Sequence, residues 1–157
     1  MMRTRQYCYF ALKSDTLSAV EMAARLQMDP DEVMVVGSRS AEHRIPCCHA
    51  WKIIRRSTES VDDQIAHLID RLNPVRARLV SLTSDPDVSS VLQVVRYFHD
   101  PEGVHAALGG ASTDRRREGP RPLGWHLSLP ALEFLSSLRT ELDVDEYDFS
   151  DDNVPGE

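Results

Sequence analysis

Two adjacent thiols followed by an imidazole could bind a metal in the stretch "HRIPCCH", which offers His43, Cys47, Cys48 and His49. A zinc site usually needs four nitrogen or sulfur ligands that converge tetrahedrally at about 2.0 to 2.3 Å. In an extended chain Cys47 and His49 point to one side and Cys48 to the other, so at most two of these three could share one ion. This is half a site. We predict no metal and no cofactor, and a metal held by Cys47, His49 and His43 is the less favoured alternative.

A nucleophilic cysteine is the second chemistry that this stretch suggests. It needs a lowered pKa and a base within reach, and His43, His49 or the distant His126 could act as that base. The sequence places none of them beside a thiol. It also contains no G-x-S-x-G elbow, no P-loop and no G-x-G-x-x-G phosphate motif. We therefore predict no catalytic residue and favour a protein that is not an enzyme.

Arginines and tryptophans supply the candidate binding residues. The stretch "DRRREGPRPLGWH" places an arginine triplet ahead of Trp125 and His126, and Arg55 and Arg56 could extend a basic patch. Such a patch would bind nucleic acid in a strongly salt-dependent way, but the acidic C-terminal residues oppose it, so nucleic acid is not the expected partner. Alternating apolar neighbours favour a core position for both tryptophans over an exposed platform. The candidate binding residues are Trp51, Arg55, Arg115, Arg116, Arg117, Trp125 and His126.

Composition predicts one soluble domain of ordinary size. The chain has 157 residues, of which 41% are apolar and 27% are charged, and both fractions are near the average for globular proteins. No run reaches the roughly 18 apolar residues of a membrane helix, and the N-terminal residues contain no signal-peptide pattern. Three cysteines, two of them adjacent, fit a reduced compartment better than a disulfide framework. We expect a cytoplasmic protein with no membrane partner.

The negative charge is concentrated at the C-terminus. The formal net charge is −7, but residues 140–157 contain eight of the 25 acidic residues and no Lys or Arg. The remaining residues have a net charge close to zero, and their basic groups are almost all arginines. The acidic segment is therefore a local feature that can act on a partner, rather than a general property of the surface.

Hydrophobic periodicity predicts alternating strands and helices. The run Arg5–Lys13 alternates aromatic and small apolar residues on both faces, which is typical of a central strand. The clearest helix is "STESVDDQIAHLIDRLN", with Ser60 as its N-cap. The other predicted elements are a helix over about 16–28, a short strand over 32–37, a strand that includes Cys48 and Arg55, a helix after Asn73-Pro74, the strands "VSSVLQVVRYFHD" and "LGWHLSL", the helix "PALEFLSSLRTEL" and a last strand "DVDEYDF".

This order of elements predicts an α+β fold. We expect a ferredoxin-like two-layer sandwich, with a mostly antiparallel sheet, helices on one face and a C-terminal strand-helix extension. Residues 1–149 form a single domain in this prediction, and residues 100–122, rich in Gly, Pro and Arg, form a mobile loop within it. Residues 150–157 form an acidic disordered tail.

Several of these stretches together resemble one known family. The strand "YCYFAL", the run "LQMDPDEVMVVG", the strand "HAWKII", the amphipathic helix, the strand "LQVVRYF" and the segment "WHLSLPALEFLSSLRTELDVDEYDF" are similar to the bacterial family catalogued as domain of unknown function 4279. The resemblance covers about residues 5–149. It implies the α+β fold and assigns no reaction, because the family itself has no assigned function.

The sequence favours a non-catalytic binding or protein-interaction module. Its acidic segment would complement a basic protein partner, for example a toxin that the protein neutralises. The alternative is a small enzyme or ligand-binding protein with a pocket between the sheet and residues 100–122. The sequence leaves the oligomeric state open.

Overall fold

The computed structural model describes residues 4–101 and 123–150. Its strands and helices alternate along the chain. They are β1 (Thr4–Ser14), α1 (Ala19–Leu26), β2 (Glu32–Met34), β3 (His49–Arg56), α2 (Val61–Leu72), α3 (Arg76–Thr83), β4 (Ser89–Phe98), α4 (Leu129–Ser137) and β5 (Glu141–Asp148), with a 3-10 turn at Asn73–Val75 between α2 and α3. The predicted tail beyond residue 150 and nearly all of the predicted loop 100–122 lie outside the described residues.

The five strands form one mixed sheet in the order β2-β3-β1-β4-β5. Strand β1 pairs antiparallel with both β3 and β4, and β2 pairs antiparallel with β3. Strand β5 runs parallel to β4. The predicted α+β class is confirmed, and β1 occupies the centre of the sheet, as its apolar residues on both faces predict.

One face of the sheet packs against the helices. Cys8, Phe10 and Leu12 alternate along β1 and are buried in a core to which β3 contributes Trp51 and Ile53. Helix α2 presents Ile65, Leu68 and Leu72 to the same core. Helix α2 begins where the sequence predicts it, because the Ser60 hydroxyl accepts a hydrogen bond from the Asp63 backbone amide at 3.2 Å.

The segment "LGWHLSL" is not the strand that its alternation predicts. Residues 123–128 have no regular secondary structure, and Leu129 is the first residue of α4. Trp125 and Leu127 pack against the core, while the His126 backbone amide donates to the Asp62 carboxylate at 2.7 Å. The alternation therefore records an extended segment laid over the helical layer, with its backbone bonded to a side chain instead of a neighbouring strand.

Helix α4 is shorter than the sequence predicts. It ends at Ser137, and Arg139 adopts a positive φ of 53° that stops the helix. Glu141 and Leu142, which the helical spacing includes in the helix, instead begin β5. Across the described ranges, no helix has the length and the apolar character needed to cross a membrane.

Candidate functional site

In the part of the chain that the structure describes, no helix covers the second face of the sheet, and this helix-free face displays tyrosines. Tyr7 and Tyr9 alternate with the core residues of β1 and therefore point to this helix-free face. The strand register places Tyr7 opposite Arg56 of β3, and Arg5 opposite Tyr97 of β4. Arginine and tyrosine thus face each other across two neighbouring strand pairs at one end of the sheet.

Each of these tyrosines has a cation over its ring. The Arg56 guanidinium carbon lies 4.9 Å from the centre of the Tyr7 ring, and the Arg5 guanidinium carbon lies 4.4 Å from that of Tyr97. The Lys52 ammonium lies 4.9 Å from the ring centre of Tyr9. Such cation–π contacts hold the charged groups in place along the sheet while leaving their N–H bonds available to other acceptors.

The two β1 tyrosines remain protonated at physiological pH. Burial, and after it the neighbouring Tyr97 phenol, raises the pKa of Tyr7 above its ordinary value. Burial also raises the pKa of Tyr9, and the carboxylates of Asp145 and Asp143 raise it further. Both phenols are therefore neutral groups that can donate a hydrogen bond to an acceptor at this face.

A cavity of about 590 Å³ opens at the same end of the sheet. It lies where β1 begins and where β3 leads into the turn before α2. The residues that line it are Thr4, Arg5, Gln6, Tyr7, Arg56, Ser57, Thr58 and Tyr97. Both arginine–tyrosine pairs of the helix-free face therefore contribute to one concave site.

The edge strand β5 forms a second exposed surface. All eight of its residues, Glu141–Asp148, are exposed, and five of them are acidic. Val144 pairs with Val94 of the core, so Leu142 and Val144 lie on the helix side of the sheet. The intervening residues Glu141, Asp143 and Asp145 therefore lie on the helix-free face.

The acidic residues of β5 divide into anchored and unanchored groups. Glu146 forms an ion pair with the buried Arg96 at 2.9 Å, and Asp145 accepts a hydrogen bond from Gln93 at 3.0 Å. A hydrogen bond from the Ser150 backbone, followed by contact with the His99 side chain, lowers the pKa of Asp148. Within the described part of the chain, Glu141 and Asp143 make no ion pair.

Comparison with known proteins places the chain in a family. Residues 4–149 match the family described as Domain of unknown function (DUF4279). The chain belongs to this family. The match spans all nine strands and helices, and it confirms the resemblance that the sequence shows. No curated protein matches this DUF4279 chain, and no solved structure matches it either.

The predicted binding residues of this DUF4279 chain that the structure describes already contact other residues of the protein. Trp51 is fully buried and its indole N–H donates to the Met28 carbonyl at 3.2 Å, so its ring offers no surface to a ligand. Arg55 forms an ion pair with Glu59 at 2.8 Å. Trp125 is half-buried against the core. Arg115, Arg116 and Arg117 lie outside the described residues.

His126 lies at a groove between helices α2 and α4, which has a volume of about 470 Å³. Its imidazole Nδ1 is 3.2 Å from an Asp62 carboxylate oxygen, and its backbone amide donates to the other oxygen at 2.7 Å. Asp62 therefore ties residues 123–128 to the start of α2. This bidentate contact gives His126 a structural role in the extended segment.

The cysteine pair differs from its prediction. Strand β3 begins at His49, so Cys47 and Cys48 lie in the bend before it, and strand pleating does not separate their side chains. Burial and the adjacent Cys47 thiol raise the pKa of Cys48, and His49 Nδ1 accepts from the Val36 amide at 3.3 Å. Across residues 4–101 and 123–150, no group of three or more His, Cys, Asp or Glu residues is placed to hold a metal ion.

Sequence reasoning missed the arginine–tyrosine pairs because they depend on strand register. The alternation of "YCYF" predicts that Tyr7 and Tyr9 share a face, but only the pairing of β1 with β3 and β4 brings Arg56 and Tyr97 beside them. Arg55 and Arg56, adjacent in sequence, point to opposite faces, so they do not form the single patch that the sequence suggests.

Proposed function

We propose that this DUF4279 chain is a non-catalytic protein-interaction module that binds a basic protein partner along β5. The supporting observation is that all eight residues of Glu141–Asp148 are exposed at the edge of the sheet and that five are acidic. An exposed edge strand presents unpaired backbone amides and carbonyls on the side away from its neighbour. A second chain can add a strand there through main-chain hydrogen bonds.

The side chains of β5 specify the kind of strand that would fit. Glu141, Asp143 and Asp145 lie on one face, where a partner strand would offset their charge with Lys or Arg. Leu142 and Val144 are 42% and 39% exposed on the other face, where the partner would contribute apolar side chains. A strand that alternates basic and apolar residues therefore complements β5 on both faces.

Charge complementarity would speed the encounter and select the partner. Opposite charges across an interface raise the association rate and disfavour wrong partners more than they raise affinity. A basic protein toxin, neutralised by occupation of its basic surface, is a partner of this chemistry. The attraction would weaken as added salt shortens the screening length, which is about 10 Å at 0.1 M ionic strength.

The test uses a designed strand as the probe. An octapeptide of alternating lysine and valine, labelled with a fluorophore, is titrated with the protein and followed by anisotropy at low and high salt. We expect saturable binding to the wild type, and about fivefold weaker binding to the double variant Glu141→Gln with Asp143→Asn. The double variant Asp29→Asn with Glu42→Gln removes two exposed charges elsewhere and should bind as the wild type does.

Two results would contradict the proposal. One is an absence of saturable binding to the alternating peptide at low salt. The other is an equal loss of affinity in the β5 variant and in the matched control, since this would show a response to net charge alone. An octapeptide of alternating glutamate and valine serves as the probe that should not bind.

We also propose that β1 to β4 with α1 to α3 form a ferredoxin-like unit, to which α4 and β5 are the extension. The order strand, helix, strand, strand, helices, strand supports this assignment, and so does the sheet order β2-β3-β1-β4. An experimental structure in which β2 pairs elsewhere would contradict it. A cytoplasmic location stays a prediction, which the three free cysteines support.

The alternative of a small enzyme or ligand-binding protein also stays a prediction. Its proposed pocket lies between the sheet and residues 100–122, most of which fall outside the described residues. The cavity at the end of the sheet is the feature of the described residues that favours a small ligand.

A further inference from the structure

The cavity beside β1 has the size and lining of a small-molecule site. Its volume of about 590 Å³ falls within the roughly 300 to 1,000 Å³ typical of ligand pockets. Two tyrosine rings, Tyr7 and Tyr97, provide apolar surface, and a few polar groups surround them. Such a lining binds the body of a ligand by contact with the rings and orients it by hydrogen bonds.

Arg56 is the lining residue whose guanidinium N–H donors are available to a ligand. Its guanidinium is held over the Tyr7 ring at 4.9 Å, and it makes no ion pair within residues 4–101 and 123–150. Arg5, on the opposite side of the cavity, is already bound to Asp100 at 2.8 Å. Stacking on an aromatic ring leaves the N–H edge of a guanidinium free to donate two parallel hydrogen bonds to an oxyanion.

Other polar groups of the cavity differ in whether they are already occupied. The Ser57 hydroxyl donates to Glu59 at 2.8 Å, and Gln6 bonds both the Glu59 carbonyl and Arg96. The Tyr7 phenol is neutral, because burial and the Tyr97 phenol raise its pKa, and it is itself hydrogen-bonded to the Tyr97 side chain. Among the residues that the structure describes, the lining therefore offers one cation without an ion pair and neutral donors, and it contains no carboxylate.

We propose that this cavity binds a small organic oxyanion, a carboxylate or a phosphate carried on a planar apolar body. Arg56 donates to the oxyanion, the hydrogen-bonded phenols of Tyr7 and Tyr97 together supply one further donor, and the two rings contact the planar body. The site lies at the start of β1, whereas the proposed protein-binding surface is the edge strand β5. The two proposals can therefore fail independently.

Isothermal titration of the full chain with benzoate and with phenyl phosphate tests this site. We expect saturable one-to-one binding of at least one of these probes, and the tighter one identifies the oxyanion that the site prefers. Inorganic phosphate, which lacks the planar body, and benzyl alcohol, which lacks the charge, should both bind at least about tenfold more weakly.

The Arg56→Gln variant should bind the preferred probe about tenfold more weakly than the wild type does. Arg39→Gln, which removes an exposed arginine from the loop before β3, should leave that affinity unchanged. The Arg56→Lys variant keeps the charge and loses the planar fork, so its affinity should fall between the two. Circular dichroism would reveal whether Arg56→Gln folds. If it does not, the affinity of Arg56→Lys for the probe still tests the role of Arg56.

Nuclear magnetic resonance on the same titration locates the probe. Shift changes should be largest at the amides of Tyr7, Arg56 and Tyr97. The proposal is overturned if neither oxyanion binds, if benzyl alcohol binds as tightly as the oxyanions, or if Arg39→Gln weakens binding as much as Arg56→Gln. The β5 variant Glu141→Gln with Asp143→Asn should bind the probe normally, so failure of one proposal does not imply failure of the other.

Discussion

Asp31 joins three parts of the structure through a single carboxylate. It receives two hydrogen bonds from the Arg71 guanidinium of α2, at 2.6 and 2.7 Å, and one from the Ile54 backbone amide of β3 at 2.7 Å. These contacts, with those from Arg71 the largest, lower the pKa of Asp31. The ion pair therefore fastens the sheet to the helical layer close to the short strand β2.

Replacing Asp31 by Asn should destabilise the protein at neutral pH. A lowered carboxyl pKa stabilises the fold above the unfolded-state value, about 3.9 for Asp, and this contribution is lost as pH falls through the folded-state value. The side chains of Arg71 and Asp31 are 42% and 34% exposed, and solvent screening therefore limits the expected loss to about 1 kcal/mol.

Urea denaturation at several pH values measures this effect. The difference in unfolding free energy between wild type and Asp31→Asn should be largest near pH 7 and should disappear at strongly acidic pH. Asp29→Asn, a change at an exposed position two residues earlier, is the matched control and should behave as the wild type does. A difference that persists unchanged at acidic pH would show that the charge of Asp31 does not stabilise the fold.

The three thiols should differ widely in reactivity. Burial raises the pKa of Cys8 to about 12, and it also raises the pKa of Cys48, whereas Cys47 is exposed. Because the thiolate is the reactive form, iodoacetamide at pH 8 should alkylate Cys47 first, Cys48 more slowly and Cys8 only after denaturation. Peptide mass spectrometry over time would reveal the order, and labelling of Cys8 in the native protein would contradict it.

The sequence predicts correctly the strands and helices whose residue pattern has a single physical cause. Strand β1 and helix α2 follow from apolar alternation and from helical spacing behind an N-cap, and both lie where these patterns place them. The segment 123–128 has the same alternation as a strand, but its cause is packing over helices, which a period of two does not distinguish. Tertiary contacts therefore decide what the local pattern leaves open.

The candidate sites are less predictable than the fold because they depend on pairing. Tyr7 and Arg56 are 49 positions apart in the sequence, and only the antiparallel register of β1 and β3 joins them. The acidic composition of β5 is visible in the sequence, but its place at the edge follows from its parallel pairing with β4. Neither relation leaves a signal in local periodicity.

Trp51 shows how β3 connects the sheet to α1. The ring is fully buried, and its indole N–H donates to the Met28 carbonyl just after α1 at 3.2 Å. Trp51→Phe should cost about 1 to 2 kcal/mol, since it removes the donor to a part-buried carbonyl and some ring volume. Trp51→Ala should cost about 3 to 5 kcal/mol, because it also leaves a cavity.

Guanidinium denaturation of both variants measures these costs. Trp125→Phe is the control, because Trp125 is only half-buried and the structure gives its indole N–H no hydrogen bond within the described residues. It should be the mildest of the three changes. If Trp51→Phe proves no more costly than Trp125→Phe, the bond to Met28 does not contribute to stability.

Across the whole molecule, opposite charges lie at the two sides of the helix-free face. Glu141, Asp143 and Asp145 line the β5 edge. On the other side of the β1 tyrosines, β3 carries Arg56 and also Lys52, which forms an ion pair with Glu32 of β2 at 3.6 Å. Like charges aligned on one strand face are unfavourable, so we expect those of β5 to lower the stability of the free protein.

The double variant Glu141→Gln with Asp143→Asn should therefore change stability and binding in opposite directions. Removing two like charges from one face of β5 should raise the melting temperature at pH 7 and low salt by about 1 to 2 °C, because repulsion exists in the folded strand and is weaker in the unfolded chain. The gain should shrink as added salt screens the wild-type charges.

Differential scanning calorimetry at two ionic strengths measures this gain. The matched control is the Asp29→Asn with Glu42→Gln variant, whose charges are not aligned on one strand face, and it should show no comparable gain. If the β5 variant instead melts below the wild type, those carboxylates stabilise the folded chain, and their exposure is not evidence of a partner.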